Sequence, residues 1–261
     1  MSRRWLVCCV LLVLLFPLQL GAQENQGQGK ETILAQESAE ERDAWLDEMD
    51  QEFQEESASQ VADPLQPINR GVFVFNDFLY QHFLDPLGKA YQDLAPRPLR
   101  KGLDNFFYNL NFPQRLVNNV LQGKMGRAGK ESGAFLVNSS VGLAGLLEPS
   151  QDIPWLQPQP PQQDLGLTLG KYGFGQGFYL VWPVLGPSTL RDSVGTAGDR
   201  FLDPITYVED FDAYVALKST EILIQLPELL ENYQELTKGA LDPYLALRSG
   251  YIQHRKAQLE K

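Results

Sequence analysis

Only two histidines occur in the sequence, His82 and His254, so a Ser–His–Asp relay or an imidazole-based metal site would have to use one of them. His82 falls in an aromatic helical stretch and His254 in a polar C-terminal segment. Surface or core roles suit both better than catalysis. Cys8 and Cys9 are the sole cysteines and sit inside an apolar N-terminal run, which leaves the rest of the chain without thiolate chemistry. Ser188 is the serine that most invites a nucleophile reading, yet it follows Pro187 and precedes a helical run, as a helix cap would. Gly173-Phe174-Gly175 superficially resembles a phosphate-cradling loop but lacks the closing Gly-Lys-Ser/Thr element. The residue inventory therefore predicts no cofactor, no metal and no hydrolase chemistry.

Charge divides the chain. Residues 23–63 carry 13 acidic and 2 basic side chains, whereas 64–261 carry 20 and 18, so the body is almost neutral within a total of -11. A near-neutral body lacks the cationic face needed to neutralise phosphates along a nucleic acid, which excludes that partner class. Arg3 and Arg4 precede an apolar run from Trp5 to Phe16, Pro17 interrupts it, and Leu20-Gly21-Ala22 offers a cleavage site. The run is shorter than the roughly 20 residues of a spanning helix, so 1–22 reads as a signal peptide. Residues 23–62 read as an acidic linker too poor in apolar residues to fold alone. Within it, Ser38 with Glu41 suggests a capping box, and Trp45, Met49 and Phe53 suggest one face of a short amphipathic helix.

From Asp63 onward the pattern is helical. Asp63-Pro64, Asp85-Pro86, Asp203-Pro204 and Asp242-Pro243 each pair an amide acceptor with a residue suited to the first helical position. Leu99, Leu103, Phe106, Phe107 and Leu110 fall on one helical stripe after Pro98. Leu116, Val117, Val120 and Leu121 point inward on the next helix, which stops at Gly123. Further helices are predicted over 127–138, 188–200, 220–236 and 242–258, with Pro227 kinking or dividing the third of these. Little period-two alternation is present. The predicted fold is mainly α, in one domain over 63–255, with a polar tail at 256–261.

Several blocks in order resemble one family. Asp63-Pro64-Leu65-Gln66-Pro67-Ile68-Asn69-Arg70 with Phe73 to Asp77, then Pro96 to Phe106 with Asn109-Leu110, then Val117-Asn118 and Leu121-Gln122-Gly123 follow its pattern. Asp164 to Pro183, Leu185 to Asp192, Asp242-Pro243-Tyr244 and Arg248 with Tyr251 complete it. On these residues the chain resembles the MlaA/VacJ family of outer-membrane phospholipid-transport lipoproteins. Ile68 replaces the family's usual Phe. No cysteine follows Ala22, where family members are usually lipidated.

The resemblance implies a helical ring in the inner leaflet of the outer membrane, with an amphipathic central channel. It implies retrograde phospholipid transport, with an outer-membrane porin trimer holding the ring and a soluble periplasmic phospholipid carrier (MlaC-like) receiving lipid. A polar route would spare a headgroup the several kcal/mol of an apolar wall. Phe75, Asn76 and Asp77, in the family's Phe-Asn motif, are gating candidates, and Lys218 is the candidate for phosphate. Gly173, Gly175 and Gly177 correspond to the family's hairpin loop and are expected to act as hinges. A structural envelope protein that conducts no lipid is the alternative.

Overall fold

The computed structural model describes residues 61–157 and 162–260. The signal segment, the acidic linker and its predicted amphipathic helix lie outside the described residues.

The chain opens with α1 (Gln66–Leu79), a π-helical turn (Tyr80–Leu84) and α2 (Asp85–Leu94). These form one continuous helical path, so Asp85-Pro86 does not begin a separate helix as predicted. Pro86 has no amide hydrogen to return to the preceding turn, and the five-residue spacing of Asp85 N–H to Tyr80 O falls just before it. Asp85 instead pairs with Lys89 (2.6 Å). Next come α3 (Arg97–Leu110), α4 (Phe112–Leu121) and α5 (Met125–Ser140). A short α6 (Leu165–Lys171), which the sequence reading missed, is capped by Asp164 on Leu167 N–H.

Two strands were also not foreseen. β1 (Tyr179–Trp182) and β2 (Gly186–Thr189) pair antiparallel, Tyr179 opposite Thr189 and Trp182 opposite Gly186. Four residues each is too short for alternation to stand out, and Pro187 inside β2 hides the pattern. Helix α7 (Leu190–Asp199) follows. Its cap is Thr189, which accepts from Asp192 N–H, and not Ser188, which lies in β2. Asp203 caps a 3-10 turn at Pro204–Tyr207. Helix α8 (Phe211–Thr237) is longer than predicted, and Pro227 lies within it without dividing it. Asp242 caps α9 (Pro243–Leu259), accepting from the amides of Tyr244 and Leu245.

Apolar burial is concentrated in two small clusters. Val61, Tyr179, Val181, Tyr244 and Ile252 pack where α1, the hairpin and α9 meet. Tyr80, Leu226, Leu230, Tyr233 and Leu247 pack where α8 crosses the first helical path and α9. Close crossings need glycine. A Cβ on Gly195 would stand 2.3 Å from Gly166 N, so α6 and α7 touch backbone to backbone.

Candidate functional site

Helices α3 and α4 bury polar side chains that lie off their hydrophobic stripes, and the stripes themselves are only partly covered. In α3 the buried residues are Asn105, Phe107 and Asn109, while Leu99 is exposed and Leu103, Phe106 and Leu110 are only half-buried. In α4 they are Arg115, Asn118 and Asn119, while Val120 and Leu121, expected inward, are exposed. Amphipathic periodicity identifies two faces but does not say which one meets water. Here tertiary packing turns the polar face inward.

Most inward polar atoms are hydrogen-bonded, to one another or to nearby backbone, whereas Asn119 Oδ1 finds no partner among the described residues. Arg115 donates to Glu131 (3.0 Å) and Tyr108 O (2.6 Å), with its guanidinium 3.7 Å over the Tyr108 ring. Asn109 donates to Ser139 Oγ (3.0 Å), and Asn138 Oδ1 accepts from Ser150 N–H (3.1 Å). Asn118 links Asp199 Oδ1 (2.9 Å) to Thr168 Oγ1 (2.8 Å), joining α4, α7 and α6. Burial pushes the Asp199 carboxyl up, and the hydrogen bonds from Leu165 N–H and Asn118 offset it only in part. A buried amide costs little once its hydrogen bonds are made and 1–3 kcal/mol or so if they are not, so these contacts fix the helices in register.

A second network surrounds the hairpin. Asn69 and Asn76, seven residues apart on α1, treat the hairpin backbone as a neighbouring strand would. Asn69 accepts from Val181 N–H (3.0 Å) and donates to Tyr179 O (3.1 Å). Asn76 accepts from Val184 N–H (2.8 Å) and donates to Trp182 O (2.9 Å). Val184 has φ 67, a left-handed conformation costly for a β-branched residue. Asn76 and Tyr80, whose hydroxyl donates to Val184 O (2.6 Å), hold it there. On the far side, Arg255 forks between Asp164 (2.7 and 2.9 Å) and Asp192 (3.0 and 2.9 Å), tying α9 to the starts of α6 and α7.

The candidate site residues therefore separate. Asn76 and Asp77 meet the hairpin and α8, Asp77 accepting from the Tyr233 hydroxyl (2.8 Å). Phe75 is 51% exposed and belongs to the outer surface. Lys218 lies apart from them, bound to Asp203 (2.6 Å) and Glu221 (2.7 Å), with Asn111 donating to the same Glu221 (2.9 Å). Burial works against its charge, but those carboxylates outweigh burial and hold its pKa above the ordinary value. Gly173 (φ 88) and Gly177 (φ 74) are left-handed, whereas Gly175 is not and stands in open space. The order here is helix, loop, strand, the reverse of a phosphate loop.

The sequence reading missed Asn69, Asn105, Asn109, Asn118, Asp192 and Arg255. Asparagine is a poor helix former, so its recurrence within predicted helices at spacings of four and seven was a usable signal.

The outer surface is the complement of this interior. Large apolar side chains are exposed along its length, among them Phe75, Phe78 and Phe83 beside the π-turn and Leu136, Val141, Leu143 and Leu147 around the turn after α5. Leu143 and Ala144 hold left-handed conformations in that turn. Among the described residues no helix is long and apolar enough to cross a membrane, and no acidic, histidine or cysteine cluster could hold a metal. Ser188 Oγ lies 3.0 Å from Ser193 Oγ, while His82 and His254 bond locally, to Phe78 O and Gln258 (both 2.9 Å).

The motifs of this chain match known proteins. The MlaA lipoprotein family matches residues 61–258. This chain belongs to the MlaA family. The intermembrane phospholipid transport system lipoprotein MlaA of Escherichia coli (strain K12) is 32% identical over 194 residues, 74% of this chain and 76% of that protein. The MlaA of Haemophilus influenzae (strain ATCC 51907 / DSM 11121 / KW20 / Rd) is 27% identical over 202 residues, 75% and 78% of the two chains. A chain solved in work on the structural basis for maintenance of bacterial outer membrane lipid asymmetry superimposes with a TM-score of 0.66. It is 32% identical, and the match covers 76% of this chain and 99% of that one. The mainly helical fold is thus the MlaA fold.

Proposed function

We propose that this protein transports phospholipid in the bacterial outer-membrane lipid-asymmetry system, removing it from the outer leaflet and passing it to a soluble periplasmic carrier. The observation that carries this is the side-chain distribution of α3 and α4, with Asn105, Asn109, Arg115 and Asn118 buried and Leu99, Val120 and Leu121 exposed. Exposed apolar side chains suit acyl chains, and an inward polar layer suits a headgroup that must keep its hydrogen bonds. The E. coli and H. influenzae relatives are named for the same transport system.

In this reading the α1–hairpin network gates the lipid route. Asn76 holds the hairpin, Asp77 ties α1 to α8 through Tyr233, and the loop from Gly173 to Gly177 moves the rings of Tyr172, Phe174 and Phe178. Lys218 contacts phosphate through the ammonium hydrogen that its two carboxylates leave over, or by exchanging one of them for it. A porin trimer supplies lateral support at the outer membrane. The deciding measurement is surface-exposed phospholipid in cells with and without the protein. Accumulation on deletion is expected; an unchanged outer leaflet would leave a structural, non-conducting role.

A further inference from the structure

Helices α2 and α8 pack side by side. Gln234 donates to Asp85 (3.5 Å), and a Cβ on Gly88 would stand 3.4 Å from Leu230 and 3.7 Å from Leu226, so the two helices run antiparallel and close on Gly88. Along that contact lies an open groove of about 570 Å³, a volume typical of small-molecule sites. Asp85, Lys89 and Gln92 line it from α2, and Glu231, Gln234 and Glu235 from α8, at spacings of three and four that share a helical face. Asp85 and Lys89 neutralise each other (2.6 Å). Glu231, Glu235 and Lys238, the last of these one residue beyond α8, form no ion pair or side-chain hydrogen bond among the described residues. Glu235 and Lys238 stand one turn apart, but Lys238 has left the helical conformation (ψ 118), which takes it off the row where the two would pair. The groove therefore offers two carboxylates and, at its end, an ammonium, over an apolar wall of Gly88, Pro227 and Leu230. That arrangement suits a ligand with a charge of each sign. Along the helix axis Glu235 and Lys238 are ~4.5 Å apart, the span of the two-carbon link between ammonium and phosphate in an ethanolamine headgroup. A quaternary choline has no N–H to give a carboxylate and is held by aromatic faces, and none of the described residues lining the groove is aromatic. A purely anionic headgroup would meet Glu231 and Glu235 as like charges.

We propose that the groove between α2 and α8 binds the phosphoethanolamine headgroup of a phospholipid. Glu231 and Glu235 accept from its ammonium, Lys238 donates to its phosphate, and its acyl chains run out past exposed Leu87 and Leu229, which adjoin Gly88 and Leu230 on the two helices. The site rests on the phospholipid transport of the proposed function and adds a headgroup preference to it. The full-length protein in detergent is titrated calorimetrically with dihexanoyl phosphatidylethanolamine, phosphatidylcholine and phosphatidylglycerol. Wild type is expected to bind the ethanolamine lipid about ten-fold more tightly than either of the others. Glu231→Gln with Glu235→Gln together should abolish the preference over choline and strengthen binding of the glycerol lipid. Lys238→Gln should weaken binding of the ethanolamine lipid about five-fold. All three side chains are exposed, so the variants should keep the wild-type Tm. Glu235→Gln alone should show about a three-fold part of the loss, which keeps the test open if the double variant does not fold. An undiminished preference in the folded variants overturns the proposal. So does glycerophosphoethanolamine, which has no acyl chains, binding as tightly as the lipid, because that marks a site for a soluble ligand. Wild type binding all three lipids equally overturns this groove alone; wild type binding none of them overturns the transport reading beneath it.

Discussion

Replacing Asn76 with Ala should destabilise the protein far more than replacing its larger apolar neighbour Phe75. Asn76 is 2% exposed and makes two hydrogen bonds to the turn that joins β1 and β2. Each bond contributes about 1 kcal/mol, and a buried group left unpaired costs about 1–3 kcal/mol. Trp182 and Val184 are themselves half exposed, so water replaces part of what is lost and the net cost is about 2 kcal/mol. Phe75 points outward, and its truncation should stay within about 0.5 kcal/mol in detergent. For a domain of this size, 2 kcal/mol lowers Tm by about 4–8 °C. Thermal unfolding of both variants, followed by circular dichroism in the same detergent, reads the difference. Val184→Gly supplies an internal control: it relieves the left-handed strain that Asn76 restrains, so the cost of Asn76→Ala should shrink in that background. A Phe75→Ala shift equal to or larger than that of Asn76→Ala would refute the argument. Deleting both residues turns the following helix by roughly 200° and carries Tyr80 away from Val184 O. The deletion is therefore expected to release the hairpin and misroute lipid while the protein still accumulates; a chain that proteolysis shows to be unfolded would count against gating.

Four further outcomes are expected. Gly175→Ala, in open space and without a positive φ, should leave Tm unchanged yet slow lipid transfer if the loop is a hinge, whereas Gly177→Ala, whose Cβ would stand 2.9 Å from Leu190 Cβ, should lower Tm on its own. Arg255→Met should cost about 3–5 kcal/mol near neutral pH by stranding Asp164 and Asp192. Burial alone would raise Asp192, but Arg255, Tyr251 and Arg191 hold it below the ordinary carboxylate value, so its stabilisation is full above that value and lost as pH falls through the depressed one. The Arg255→Met deficit, followed by denaturant unfolding across pH, should accordingly narrow as protonation removes the stranded charges. Lys218→Glu would gather three carboxylates and should lower protein level, so Lys218→Gln is the cleaner probe: reduced transfer per folded molecule supports phosphate contact, and unchanged transfer retires it. Intact-mass measurement of the exported protein should find a chain beginning near Gln23 without an acyl group; an added diacylglyceryl mass would contradict that reading.

The sequence alone determined most of the helical segments, α6 excepted, and where several of them begin. Asp203 and Asp242 act as the caps their Asp-Pro steps predict, because capping is settled by a side chain and the next three amides. Family motifs extending over most of the chain made the fold class legible too. What tertiary structure alone decided is the direction each helix faces. The stripe of Leu99, Leu103, Phe106, Phe107 and Leu110 is real, yet Asn105 and Asn109 take the inside with Phe107, because α5 and its following turn offer them partners that no local pattern encodes. Asn69 and Asn76 likewise find their acceptors and donors more than 100 residues away, on a hairpin whose strands are too short to announce themselves. Lys218 reads as an isolated cation in one dimension and as the centre of a carboxylate pair in three. Periodicity is a property of neighbouring residues, whereas the choice between water, lipid and a buried partner belongs to contacts between distant ones.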